Sequence, residues 1–414
     1  MYVLSNNLKG DYFKMKKLLS LALAAAMALS IAACSVQNPN TPPASNSNPG
    51  TSAGSQNPGT PAGSNGGSAS GAYTYDESDP YPCIAIYRDG DPAADAHATV
   101  TSTDDITWTI AVCLQESNPQ SVAVKLMGQE LEELTNGHFK WDIFYNSVLG
   151  SESEAVELVR NNTAQFVTSN VTVMSTYVDT FGVFALPYLF HSEEDELNYL
   201  SSSPKAYELY KELEETAGLV TLGFNCTGSR CLSTKGVKQI KSPADLSGTK
   251  VRSMEAQVWQ DVISCLGATP VPVAYTELYT GLQTGVVQGQ DNPIANTVDG
   301  KFYEVLDTFY ETDHSYLVSA YYTNPTAWDQ LPDDYKAVLM GLLQKYQGNY
   351  YHEEILKFRE DCAKTVADAG VKIVPQSELD MDAFYASADA MIADKYMTGS
   401  YADFVNDVKS TFNY

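Results

Sequence analysis

Apolar and polar positions alternate through "ITWTIAV" (106–112), which predicts a strand. Apolar residues then recur at Val122, Leu126, Leu131 and Leu134, the spacing of a helix over Ser121–Thr135, and Asn136-Gly137 should stop it. "FKWDIFY" (139–145) predicts a second strand, and "SESEAVELVRNN" (151–162) a helix with acids in its first turn, where they complement the helix dipole. The apolar runs 165–170 and 183–190 follow, then acidic helices to about Ala217 and a strand over 219–225.

The second half repeats this βαβαβ grammar. "GTKVRS" (248–253) predicts a strand, and Glu255–Leu266 a helix with Val258, Trp259, Val262 and Leu266 on one face. "TPVPVA" (269–274) reads as a strand whose prolines place it at a sheet edge. A short helix over 276–285 takes Thr276 as N-cap and Gly285 as its stop, and 286–293 is a strand leaving into a turn. Residues 332–369 predict one long helix, interrupted only by Gly341 and Gly348.

The first residues carry a different pattern. Lys14, Lys16 and Lys17 precede an apolar run over 18–31, the layout of a secretory signal, and that run is too short to span a bilayer. It ends in Ile31-Ala32-Ala33-Cys34, which resembles a bacterial lipobox and implies cleavage before Cys34 with a lipid on its sulfur. Met15 is then the expected start. Residues 34–72 are the expected lipidated cysteine and tether, almost all Asn, Pro, Gly, Ser, Thr and Ala, with a reach of roughly 35 Å. Residues 73–105 are Asp- and Tyr-rich and receive no assignment; "DGDPAAD" (89–95) lacks the later Gly and Glu of a calcium loop. Six further cysteines could pair outside the cytosol, Cys226 and Cys231 being near enough in sequence for a local bridge, but spacing does not fix connectivity.

With 51 acids against 25 Lys and Arg, a net charge of −26 argues against nucleic acid, whose binding rests on neutralised phosphates. An anion site here must be a local set of donors. Strands alternating with helices imply a parallel sheet with ligands beyond the strands' carboxyl ends. Arg252, Tyr275 and Asn292 stand there in succession, at the ends of three strands. A guanidinium, an aromatic face and an amide suit a small organic acid.

The stretches "LSGTKVRS", "LGATPVPVAYTELYTGLQTGVVQGQDNP" and "KFYEV", with "FALPY", "GSR" and "LPDD", resemble the solute-binding proteins of tripartite ATP-independent periplasmic (TRAP) transporters, of the dicarboxylate-binding type. The resemblance runs from about Ile106 to the C-terminus. It implies an α/β fold, two α/β domains around a ligand cleft (periplasmic binding protein-like, type II) with a long helix spanning both. Domain I would be 106–227 plus 318–357, and domain II 228–317 plus 358–414. It also implies that Arg252 pairs with the ligand carboxylate, that Arg230 adds a second contact, and that Asn292 and Tyr275 line the site. Glu152 and Asn170 carry over as lining positions of the first domain, and Cys113 falls where some members place a polar contact. Asp291 stands where the family usually has Glu and Gln288 where it often has Asp, departures expected to act on the turn.

The function implied is capture of a small organic acid outside the cytoplasm and delivery to TRAP permease membrane subunits, with the protein anchored to the membrane through Cys34. The alternative is a receptor with the same cleft feeding a membrane sensor kinase. No cofactor or metal is implied. Catalysis is not expected: five scattered histidines, "HEEIL" without a second His, and no G-x-S-x-G, P-loop or G-x-G-x-x-G leave no nucleophile or phosphate cradle. His314 matches a family position and is expected to be structural.

Overall fold

The computed structural model describes residues 73–74, 77–78 and 80–414; the expected signal (1–33), Cys34 and the tether to residue 72 lie outside the described residues. The strands are β1 (Ile106–Ala111), β2 (Phe139–Phe144), β3 (Phe166–Asn170), β4 (Val220–Thr234), β5 (Lys250–Ser253), β6 (Thr269–Pro272), β7 (Gly289–Asn292), β8 (Thr308–Thr323) and β9 (Lys372–Val374). The helices are α1 (Pro119–Leu134), α2 (Glu152–Arg160), α3 (Glu193–Ser202), α4 (Pro204–Ala217), α5 (Gln257–Cys265), α6 (Leu278–Thr284), α7 (Ile294–Asp299), α8 (Pro325–Asp329), α9 (Asp333–Leu343), α10 (Tyr351–Asp368), α11 (Met381–Lys395) and α12 (Gly399–Phe412). A π-helical segment, Gln344–Tyr350, joins α9 to α10 into the expected long helix.

All nine strands share one sheet, in the order β2-β1-β3-β8-β4-β7-β5-β6, with β9 on β8. Its two ends are parallel, as the alternating pattern predicts: β1 with β2 and β3, and β5 with β6 and β7. The proline-bearing β6 is an edge strand, where no ladder donor is missed. The centre departs from the parallel expectation. β4 and β8 are long antiparallel strands of 15 and 16 residues, and each also runs antiparallel to the neighbour on its other side. The first half of β4 lies beside the β3 end of β8, and its second half beside β7. The chain therefore forms two α/β lobes threaded by the same two strands. Register shifts between Cys226 and Ser229 and between Arg230 and Leu232 mark the passage.

Tyr321, Tyr322, Phe166 and Val167 are fully buried under helices from the first lobe. Each such side chain stabilises the fold by about 1.5–3 kcal/mol through lost apolar exposure. Helix α2 starts at a capping box, with Ser151 and Glu154 hydrogen-bonded reciprocally, worth about 1 kcal/mol and fixing where Glu152 projects.

The apolar run 183–190, to which the sequence alone gives no element, begins within 3₁₀ turns over 179–185 whose apolar side chains are buried. Two expectations need correction. Thr276 does not cap a helix, because a 3₁₀ turn (Tyr275–Glu277) begins one residue earlier and the α-helical turns start only at Leu278. Gly285 does end that helix, with φ 77°. Cys226 and Cys231 do not bridge; six cysteines in the described residues are free thiols. Both lie on β4, and five strand residues span about 16 Å, beyond the roughly 7 Å that a disulfide tolerates between Cα atoms.

Candidate ligand-binding site

A cavity of about 140 Å³ lies between the lobes, and Glu152, Asn170, Arg230, Arg252, Tyr275 and Asn292 all line it. Glu152 and Asn170 come from the first lobe, at the start of α2 and the end of β3. Arg252 and Asn292 come from the ends of β5 and β7, Tyr275 from the turn after β6, and Arg230 from within β4 beside its register shift.

Arg252 lies one residue before the end of β5, between the buried Val251 and Ser253, and is 4% exposed. Its Nε donates to the Val273 carbonyl at 2.8 Å, its one hydrogen bond given among the described residues, and no described acid forms an ion pair with it. Burial pushes its pKa down to about 10, with Asp291 opposing, so the group stays cationic at neutral pH. A buried charge without a partner costs several kcal/mol. The guanidinium thus faces the cavity as an unmet demand for an anion.

Arg230 is handled differently. On β4 and fully buried, it donates from Nε to Asp291 Oδ2 at 2.9 Å and from Nη2 to the Asp291 carbonyl at 2.6 Å. The Trp259 ring covers the planar guanidinium at 4.3 Å, a cation–π contact that holds it in place on the wall. Its Nη1 is buried without a partner. Burial alone would raise the Asp291 pKa, but the Arg230 charge and His314 outweigh it and hold the carboxyl at about 2. His314 is fully buried between Thr312 and Asp291, the structural place expected for it. Asp291 was expected to act on the turn; it instead fixes Arg230. Gln288 stays with the local structure, accepting from the Lys250 backbone at 3.3 Å.

On the opposite wall, Glu152 accepts from the Asn170 backbone N–H and from Ser169 Oγ at 3.0 Å. Burial raises its pKa, while these bonds and the two arginines pull it back. Asn170 spends its side-chain oxygen on Thr172 as the cap of a 3₁₀ turn, leaving Nδ2 buried without a partner. Tyr275 donates its hydroxyl to the Asn296 carbonyl at 3.1 Å, and its ring meets Phe302 edge-on at 5.4 Å, so it presents a fixed aromatic surface. Asn292 donates its amide to Gln290 Oε1. Cys113 is half-buried on the same cavity, its thiol pushed up to about 12 by burial.

Sequence reasoning missed Trp259 and Thr172 as site residues. Trp259 Nε1 donates to Thr172 Oγ1 at 2.8 Å, joining the two walls beside Arg230. Trp259 had been read only as one apolar position of its helix. Its place in the first turn after the arginine-bearing strand was the available signal.

Residues 110–398 match the family model described as bacterial extracellular solute-binding protein, family 7. A solute-binding protein of Verminephrobacter eiseniae is 30% identical over 273 residues, 66% of this chain and 79% of that one. A C4-dicarboxylate-binding periplasmic protein of Vibrio cholerae is 31% identical over 219 residues, 53% of this chain and 65% of its own length. Among solved structures, a TRAP periplasmic solute-binding protein from Roseobacter denitrificans with bound L-galactonate is 26% identical, with a TM-score of 0.67 over 74% of this chain and 99% of that one. One from Sulfitobacter sp. NAS-14.1 with bound β-D-galacturonate is also 26% identical, with a TM-score of 0.66 over 72% and 98%. These relatives are binding proteins and not enzymes, and their two-domain architecture is the one described above. The chain belongs to the family 7 extracellular solute-binding proteins, the TRAP type.

Proposed function

We propose that this protein captures a hydroxyl-rich organic acid with a single carboxylate, a sugar acid of the uronate or aldonate class, and delivers it to a TRAP-type permease. Arg252 would grip the carboxylate, Arg230 Nη1 would add a second donor, and the Tyr275 ring would cover the carbon skeleton, with Asn292 beside it. The observation that carries this reading is the buried, acid-free guanidinium of Arg252 on the cavity wall. An ion-pairing ligand would supply charge-assisted bonds worth roughly 1.5–3 kcal/mol each.

The preference for one carboxylate rests on Glu152. A second carboxylate at the far wall would meet its oxygens, whereas ligand hydroxyls could donate to them. Asn170 Nδ2 offers a matching donor to hydroxyl oxygens. The galactonate and galacturonate bound by the two 26% identical relatives have this chemistry. Delivery to membrane subunits, anchoring through Cys34, and the division into domains at 227/228, 317/318 and 357/358 belong to the same reading. The register shift between Cys226 and Ser229 supports the first of those boundaries.

A thermal-shift screen tests the ligand class. D-galacturonate, L-galactonate and related sugar acids should raise Tm by several degrees, and succinate or malate should not. Stabilisation by the C4-dicarboxylates alone would refute the sugar-acid assignment.

A further inference from the structure

Residues 80–104 precede the stretch matched by the family model, have no regular helix or strand, and lie as a strap over the first lobe and the first half of the long helix. The strap pairs with the first half of β4, the Phe224 N–H donating to the Cys83 carbonyl at 2.5 Å and the Ala85 N–H to Leu222 at 3.0 Å. It then reaches α8, where Asp91 accepts from Trp328 Nε1 at 2.9 Å, and the long helix, where Asp95 N–H donates to the Ala337 carbonyl at 2.9 Å.

It also meets the π-helical segment and the start of α10. Gln344 Nε2 donates to the Tyr81 carbonyl at 2.8 Å, and the Tyr81 ring stacks on His352 at 3.8 Å. A π turn widens the helix and is rarely stable without outside contacts. Three glycines make the approach possible. A methyl group at Gly341 would overlap the Ala96 backbone, one at Gly223 the Cys83 carbonyl, and one at Gly348 would stand 2.7 Å from Cys83 Sγ. Gly341 and Gly348 are the two interruptions visible in the helix sequence. They are explained by the strap and not by a break in the helix.

Among the described residues β4, β8 and this helix run through both lobes, and the C-terminal chain crosses as well, from α11 beside α5 to α12 against Thr180 and Tyr199, so movement between the lobes bends the helix along with these other crossings. Beyond the strap, the helix is held by the fully buried Ile355 and by Arg359, which donates to the Cys226 and Thr227 carbonyls at 3.0 and 2.8 Å and pairs with Glu193 of the first lobe at 2.8 Å. That contact sits over Gly228, φ 132°, at the register shift of β4. We propose that residues 80–104 are a brace: they weld the helix from Gly341 to Glu353 onto the first lobe and leave its bending to the turns beyond Glu353, where Arg359 crosses β4. The lobe bearing Glu152 and Asn170 and half of the helix then move as one body against the lobe bearing Arg252.

Hydrogen exchange read by mass spectrometry on the full chain tests this. Amides of 344–353 should exchange at least about tenfold more slowly than those of the helix beyond Glu353. Alanine inside a helix ordinarily raises Tm over glycine. Here Gly341→Ala and Gly348→Ala should lower it by several degrees and abolish the protection of 344–353. Pairing Gly348→Ala with Cys83→Gly, which removes the colliding sulfur and leaves only the flexible end of Gln344 to shift, should restore most of both. Equal protection on the two sides of residue 353 in the unmodified protein, or alanines that raise Tm, would overturn the brace. The exchange pattern of the unmodified protein decides even if a variant fails to fold.

Discussion

Arg230 and Asp291 are joined by two hydrogen bonds, Nε to Oδ2 at 2.9 Å and Nη2 to the backbone carbonyl at 2.6 Å, and both are fully buried. Replacing the acid strands the cation. Asp291→Asn should destabilise the protein by about 3–5 kcal/mol, the usual cost of breaking a buried pair from one side. Chemical denaturation of wild type and variant measures it. A loss under about 1 kcal/mol would mean that Arg230 is held by Trp259 and solvent instead.

The same pair sets a pH dependence. Asp291 titrates at about 2 in the folded protein against an ordinary 3.8, so the fold favours its ionised form. That contribution is fully present above the unfolded value and disappears as pH falls from about 4 toward 2. Its size is about 2 kcal/mol. Denaturation midpoints from pH 6 to 3 should fall more steeply in wild type than in Asp291→Asn, and parallel curves would contradict the assignment.

Glu152→Gln keeps the shape of the far wall and removes its charge. Affinity for sugar acids should fall about tenfold as ligand hydroxyls lose a charged acceptor, while C4-dicarboxylates should gain. Calorimetry with both ligand classes reads this as a change in ratio. An unchanged ratio would remove Glu152 from ligand selection.

Trp259 serves two contacts that substitution can separate. Trp259→Phe keeps a ring over Arg230 but loses the bond to Thr172, and should cost about 1 kcal/mol of stability. Trp259→Leu loses the ring as well and should weaken ligand binding further. Equal affinities for the two variants would show that the ring does not hold Arg230 for the ligand.

Much of the site was legible because the second lobe is built from short parallel strands. Arg252, Tyr275 and Asn292 follow three apolar runs, and parallel neighbours bring such ends together. Glu152 was legible as a first-turn helix acid. The role of Asp291 was not: its partner lies 61 residues away on β4, and only the antiparallel β4–β7 pairing brings them together. β8 was not recognised as a strand, nor β4 beyond residue 225. β4 is buried on nearly every side chain, and the partly exposed residues of β8 do not recur at every second position, so no alternation marks their length. The strap was opaque because backbone pairing and missing methyl groups hold it, and neither has a hydrophobic period.

Isothermal titration of a sugar acid into wild type and Arg252→Ala bears most directly on the ligand anchor. The variant should unfold at nearly the wild-type temperature yet bind at least about 100-fold more weakly, since a buried carboxylate would lose its fork of donors. Undiminished affinity in a folded Arg252→Ala would mean that the anion sits elsewhere.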